Sequence, residues 1–123
     1  MKWIIKNPSP LDYRLKMWGD YHIGRSLSKY LIRLGEKVET DYHSKWNNNK
    51  KSDVVLILRG KYPYKLRSNT KLHIMWNYGH PADISVKEYE SYDIILVASN
   101  KHADVLKKKI SKPVYPFLLC TDP

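Results

Sequence analysis

Asp53-Val54-Val55-Leu56-Ile57-Leu58-Arg59-Gly60 decides the fold. Val54 to Leu58 are apolar without alternation, the pattern of a parallel strand buried on both faces. Arg59 and Gly60 follow at its carboxyl end. Lys61 to Thr70 is basic and aromatic and reads as a surface loop. A second buried strand follows in Leu72-His73-Ile74-Met75-Trp76, and it gives out in the polar turn Asn77-Tyr78-Gly79-His80-Pro81.

Upstream, Trp3-Ile4-Ile5 reads as a first strand, closed by Asn7-Pro8-Ser9-Pro10, where two prolines block further pairing. Asp20 is the expected cap of the next helix. Ile23, Leu27, Leu31 and Leu34, with Tyr30 alongside, have helical spacing, and Arg25, Lys29 and Arg33 fall on a solvent face. Gly24 costs this helix about 1 kcal/mol against alanine, which close packing on the sheet would explain. Gly35 stands where a glycine ends a helix. Lys37 to Tyr42 reads as a more exposed strand. Lys45 to Ser52 is polar and too short for a crossover helix, with room for one helical turn around Trp46.

Downstream, Ser85 and Glu88 have capping-box spacing and open a short helix. Asp93 to Val97 is another buried strand. Asn100 is the expected N-cap of a helix with Ala103, Leu106 and Ile110 inward and Lys107, Lys108 and Lys109 in its last turn, where cations suit the helix dipole. Pro113 stops it, and Val114 to Leu119 reads as the last strand. The order β-α-β-β-β-α-β-α-β predicts an α/β layered fold, a single domain over residues 1–123 with a mainly parallel sheet of about six strands.

The 123 residues carry a formal charge of +10, which points to an anionic partner rather than to a fold. No apolar run is long enough to cross a bilayer, and the apolar part of Met1 to Lys6 is too short for a signal peptide. The single cysteine, Cys120, fits a reducing cytoplasm and reads as inert packing. His22, His43, His73, His80 and His102 do not pair at ligand spacing, so no metal is expected. No Walker loop and no G-x-G-x-x-G occurs, and no cofactor is expected. Polar residues gather instead at strand ends: Asp20 and His22 after the first strand, Arg59 after the third, Asn77 and His80 after the fourth, Ser99 after the fifth, Thr121 after the sixth. In a parallel sheet these ends share one edge, where α/β proteins bind ligands.

Trp18-Gly19-Asp20-Tyr21-His22, Leu58-Arg59-Gly60, Met75 to Pro81, Val97-Ala98-Ser99 and Leu118 to Pro123 together resemble the N-terminal half of bacterial glycosyltransferases of the two-domain GT-B type, nearest the CgeB-like, capsule and spore-coat associated group. The resemblance implies a Rossmann-like three-layer, acceptor-side domain facing a second, nucleotide-sugar domain across a cleft. That second domain is expected to be absent from this chain, so the 123 residues alone are expected to be inactive. Sugar transfer needs a base for the acceptor hydroxyl and cations or dipoles for the leaving diphosphate. The candidate bases are His22, Asp20 and His80, and the candidate charge stabiliser is Arg59. Asn77, Ser99 and Thr121 are candidate hydrogen-bonding groups for sugar or acceptor.

The implied partners are a nucleotide-sugar donor, held mostly by the missing domain, and a glycan or cell-surface acceptor. The lysines also suit an anionic membrane surface, which would place the chain in the cytoplasm at the membrane periphery. The alternative is a small basic nucleic-acid-binding or non-catalytic interaction domain. Ten tyrosines and four tryptophans offer stacking, but the absence of RRM, KH and helix-turn-helix motifs argues against nucleic acid.

Overall fold

The computed structural model describes residues 1–48, 50–66, 70–79 and 83–118. The strands are β1 (Lys2–Asn7), β2 (Lys37–Tyr42), β3 (Ser52–Arg59), β4 (Thr70–Asn77), β5 (Ile94–Val97) and β6 (Val114–Pro116). The helices are α1 (Gly19–Arg33), α2 (Val86–Glu90) and α3 (Asn100–Lys109), with single 3-10 turns at Leu15–Met17 and His43–Lys45. All six strands form one sheet in the order β2-β1-β3-β4-β5-β6. Every neighbouring pair is parallel, with Ile5 opposite Leu56 and Ile57 opposite Met75 at its centre. The chain is thus an α/β protein with the Rossmann-like three-layer architecture expected.

The unalternating run in β3 is explained by the two faces. Val54, Leu56 and Leu58 join Ile5, Ile74 and Trp76 in the core on one face, with Ile23, Leu27 and Leu31 of α1 packed against it. Val55 and Ile57 join Ile4, Met75, Ile95 and Val97 on the other, with Tyr89 of α2 and Ala103 and Leu106 of α3. Much of the positive charge lies on the outer surfaces, where Arg25, Lys29 and Arg33 of α1 and Lys107, Lys108 and Lys109 of α3 are exposed, while Lys6 and Arg59 are buried.

Among the described residues, two crossovers run without a regular helix. Trp46 and Tyr64, from the β2–β3 and β3–β4 connections, are buried in the core that α2 and α3 cover. They lie edge to face at 5.9 Å. The Trp46 indole donates to the carbonyls of Asn7 (2.9 Å) and Asp41 (3.1 Å). Lys6, fully buried, donates to the Asp41 carboxylate (2.8 Å) and the Trp46 carbonyl (3.0 Å), with Tyr64 beneath its ammonium. The segment from Lys61 is therefore not merely a surface loop. Burial of Tyr64, with Tyr62 and Leu66 packed beside it, does the covering that a helix would do.

Several local expectations are corrected. The N-cap of α1 is Trp18, in extended conformation and with no side-chain cap bond, because the helix already begins at Gly19. Asp20 lies inside the first turn, where its charge still suits the dipole. Ser99, not Asn100, caps α3, its hydroxyl accepting from the His102 amide (3.2 Å). Leu34 lies beyond the end of α1 and is exposed. β6 ends at Pro116, where proline removes a ladder donor. Gly35 has φ +89° and closes α1 with the paired bonds of a Schellman motif, Glu36 to Leu31 and Gly35 to Ile32.

Gly24 has the packing reason expected of it. A Cβ there would lie 2.4 Å from the Asn7 amide nitrogen and 3.0 Å from a Leu58 methyl. Gly24→Ala should therefore destabilise the protein despite alanine's better helix propensity, by about 1–2 kcal/mol after that gain is subtracted. Urea unfolding midpoints at unchanged m-value check it.

Candidate functional site

The strand order reverses direction between β1 and β3. From β1 the chain steps outward to β2, and from β3 it steps the other way to β6. The carboxyl ends of β1 and β3 therefore flank a switch point, the place where open α/β sheets form a ligand crevice. Asn7 ends β1 there. Its side-chain amide donates to the Asp20 carbonyl (2.9 Å), and its side-chain oxygen accepts from the Ser9 amide (3.0 Å). This ties the first turn of α1 to the sheet edge.

Asp20 is half-buried and its carboxylate accepts from the Tyr78 hydroxyl. Gly60 closes the arrangement, because a Cβ at this position would lie 3.0 Å from Asp20 Oδ1 and 3.6 Å from the Tyr78 ring. Three separate connections, after β1, β3 and β4, thus meet around one carboxylate. Burial, then the Asp20 carboxylate, pushes the Tyr78 hydroxyl far above the ordinary tyrosine range, so it remains a donor at any working pH. Tyr78→Phe should cost about 1–2 kcal/mol, since the carboxylate loses its donor but can be rehydrated. Equilibrium unfolding of the single variant measures it.

Arg59 is buried and fully engaged. Its Nε and Nη2 donate to Glu88 Oε2 (2.6 Å) and Oε1 (3.2 Å), and Nη1 donates to the Gly60 carbonyl (2.8 Å). Glu88 therefore serves the guanidinium, while Ser85 of the same sequence pattern still caps α2 by accepting from the Glu88 amide. Asn77, also buried, donates to the carbonyls of Arg59 (3.0 Å) and Gly79 (2.6 Å). Its oxygen accepts from Tyr89 (3.3 Å), and the Tyr89 oxygen also lies 3.3 Å from His102 Nε2. With Tyr89 donating to Asn77, the imidazole donates through Nε2 to the Tyr89 oxygen. Burial, with Glu88 adding to it against Arg59, pushes the Tyr89 hydroxyl up to about 12.

The sequence-derived candidates thus divide. Asp20, Arg59 and Asn77 share the edge, and Ser99, after β5, caps α3 by accepting from the His102 amide. His22 is exposed at the rim, with Nε2 against the Lys16 carbonyl (2.9 Å) and its ring edge-on to Tyr21. His80 and Thr121 lie outside the described residues. Tyr78, Glu88, Tyr89 and His102 were not among the candidates. Glu88 was masked by its capping-box spacing. Tyr78 stood in the recognised turn and needed only a carboxylate to find. Burial, then Lys109, lowers the His102 pKa. Its proton titration by NMR should have a midpoint below the ordinary value of about 6.5. Because the native state resists that proton, stability should begin to fall as the pH drops through about 6.5.

Among the described residues, no group of three His, Cys, Asp or Glu side chains is placed to hold a metal ion, and no helix is long and apolar enough to cross a membrane. No family model matches the chain, no curated protein matches it, and no solved structure matches it.

Proposed function

We propose that the chain is the acceptor-side domain of a nucleotide-sugar-dependent glycosyltransferase of the two-domain GT-B type, binding a glycan or cell-surface acceptor at the carboxyl edge of its sheet. The observation that carries this reading is the convergence of Asp20, Tyr78 and Gly60 at the switch point between β1 and β3. A half-exposed carboxylate at a helix N-terminus, oriented by a phenol that cannot take its proton, suits a base for an acceptor hydroxyl. His22 stands at the rim of the same turn as a second polar contact. Arg59 and Asn77 act as positioning residues in this reading, since their donors hold Glu88 and the loop carbonyls. In this reading a second domain holds the nucleotide-sugar donor and these residues hold the acceptor.

Calorimetric titration with hexose and hexosamine oligosaccharides, and separately with nucleotide sugars, tests the reading. The expected result is saturable oligosaccharide binding that Asp20→Asn weakens about tenfold, the loss of one charge-assisted hydrogen bond. Binding of nucleotide sugar without any oligosaccharide binding would reverse the assignment.

A further inference from the structure

The connection from β1 to α1 holds three large apolar side chains in solvent: Leu11, Tyr13 and Met17 are 55%, 91% and 78% exposed. Such exposure in one short segment is unusual for side chains that would otherwise turn inward. The segment's own hydrogen bonds hold it open. Leu15 donates to the Asp12 carbonyl (3.1 Å), Met17 to Arg14 (2.9 Å) and Trp18 to Leu15 (3.3 Å). The Asp12 carboxylate pairs with the Arg14 guanidinium at 2.8 Å, and His22 holds the Lys16 carbonyl.

Cations are interleaved with the apolar groups. Arg14 lies beside the Tyr13 ring at 6.0 Å, and Lys16 is exposed next to Met17. Lys61, from the β3–β4 connection, stands over Trp18 at 5.8 Å and Tyr62 at 5.4 Å. Apolar tips with amphipathic aromatics and cations around them match the boundary between lipid headgroups and acyl chains.

We propose that this loop docks the protein on an anionic lipid surface, with Leu11, Tyr13 and Met17 entering the headgroup boundary and Lys16 and Lys61 facing the lipid charges. Leu11 and Met17 offer no stacking face to a nucleotide base, and their apolar tips suit an acyl boundary. Those features favour lipid over nucleic acid. The docking stands independently of the sugar-transfer reading.

Co-sedimentation with vesicles of phosphatidylcholine, with and without phosphatidylglycerol, tests it. Binding should require phosphatidylglycerol and weaken with salt. The combined variant Leu11→Ser, Tyr13→Ser, Met17→Ser alters exposed positions and should lower partitioning by about tenfold or more. The variant Lys107→Gln, Lys108→Gln, Lys109→Gln, on α3 in the opposite layer, should keep most of the binding. Tyr13→Trp should add a blue-shifted emission component on anionic vesicles that is missing with phosphatidylcholine alone. The proposal is overturned if wild-type protein ignores anionic vesicles, or if it binds single-stranded RNA in their place. It is equally overturned if the serine variant binds as wild type, if the α3 variant carries the loss, or if the emission of the Tyr13→Trp variant does not move.

Discussion

Replacing Asp41 with alanine should cost about 3–5 kcal/mol of stability, one of the two largest effects expected of a single substitution here. Lys6 and Asp41 are each about 2% exposed and meet at 2.8 Å, so the substitution leaves a buried ammonium without its counter-ion, beside the Trp46 carbonyl and the Tyr64 ring. Lys6→Met in the same chain should recover most of that loss, because apolar groups of similar volume can replace a buried pair at little cost. Acid adds a second signature. Burial pushes the Asp41 carboxyl up, but hydrogen bonds from Lys6, Asn48 and Lys50 outweigh it and hold the group below its ordinary value. A lowered folded pKa means stability that is present above the unfolded value and lost as pH falls through the folded one. Beyond the loss expected from His102, the wild-type protein should therefore weaken further from about pH 4 downward, and the Asp41→Ala variant should lack that component. Urea unfolding across the acid range, from neutral pH downward, reads both.

The second large effect is expected at Arg59. Arg59→Met strips the Glu88 carboxylate of both its guanidinium donors and leaves the Gly60 carbonyl without Nη1. Glu88 keeps some solvent access, at 19% side-chain exposure, so the cost should lie near the low end for a broken buried pair, about 3 kcal/mol. Glu88→Gln should cost less, since the amide oxygen can still accept. A double-mutant cycle over the two positions should return a coupling on the order of 1–3 kcal/mol. Thermal unfolding of the four proteins measures it.

These two ion pairs mark where the sequence was legible and where it was not. β3, β4 and β5 were readable as buried parallel strands because their apolar runs serve both faces. Gly24 and Gly35 were readable because each solves a local geometric problem. The crossover regions were not. Trp46 and Tyr64 stand among lysines and asparagines, and nothing local says that they turn inward to replace a helix. The groups Trp46 meets include Lys6 and the Asn7 carbonyl, about forty positions earlier in the chain. The site followed the same rule. That Arg59 needs a partner follows from an apolar strand ending in a cation. Which carboxylate answers does not, and Glu88 sat in a motif with its own local explanation. Asp20 had a local reading as a cap, yet the fold gives its carboxylate to Tyr78, fifty-eight positions away in the chain. Side chains whose partners are long-range look like ordinary caps, turns and surface charges until the topology is known.

The same edge carries the functional reading. Amide chemical-shift mapping of the isotopically labelled chain, titrated with hexose and hexosamine oligosaccharides, tests it most directly. The account predicts saturable shifts clustered at Gly19 to Gly24, Gly60 to Lys61 and Tyr78 to Gly79, abolished by Asp20→Asn while the rest of the spectrum stays native. Shifts confined to the outer faces of α1 and α3, or no shifts with any of these sugars, would contradict it.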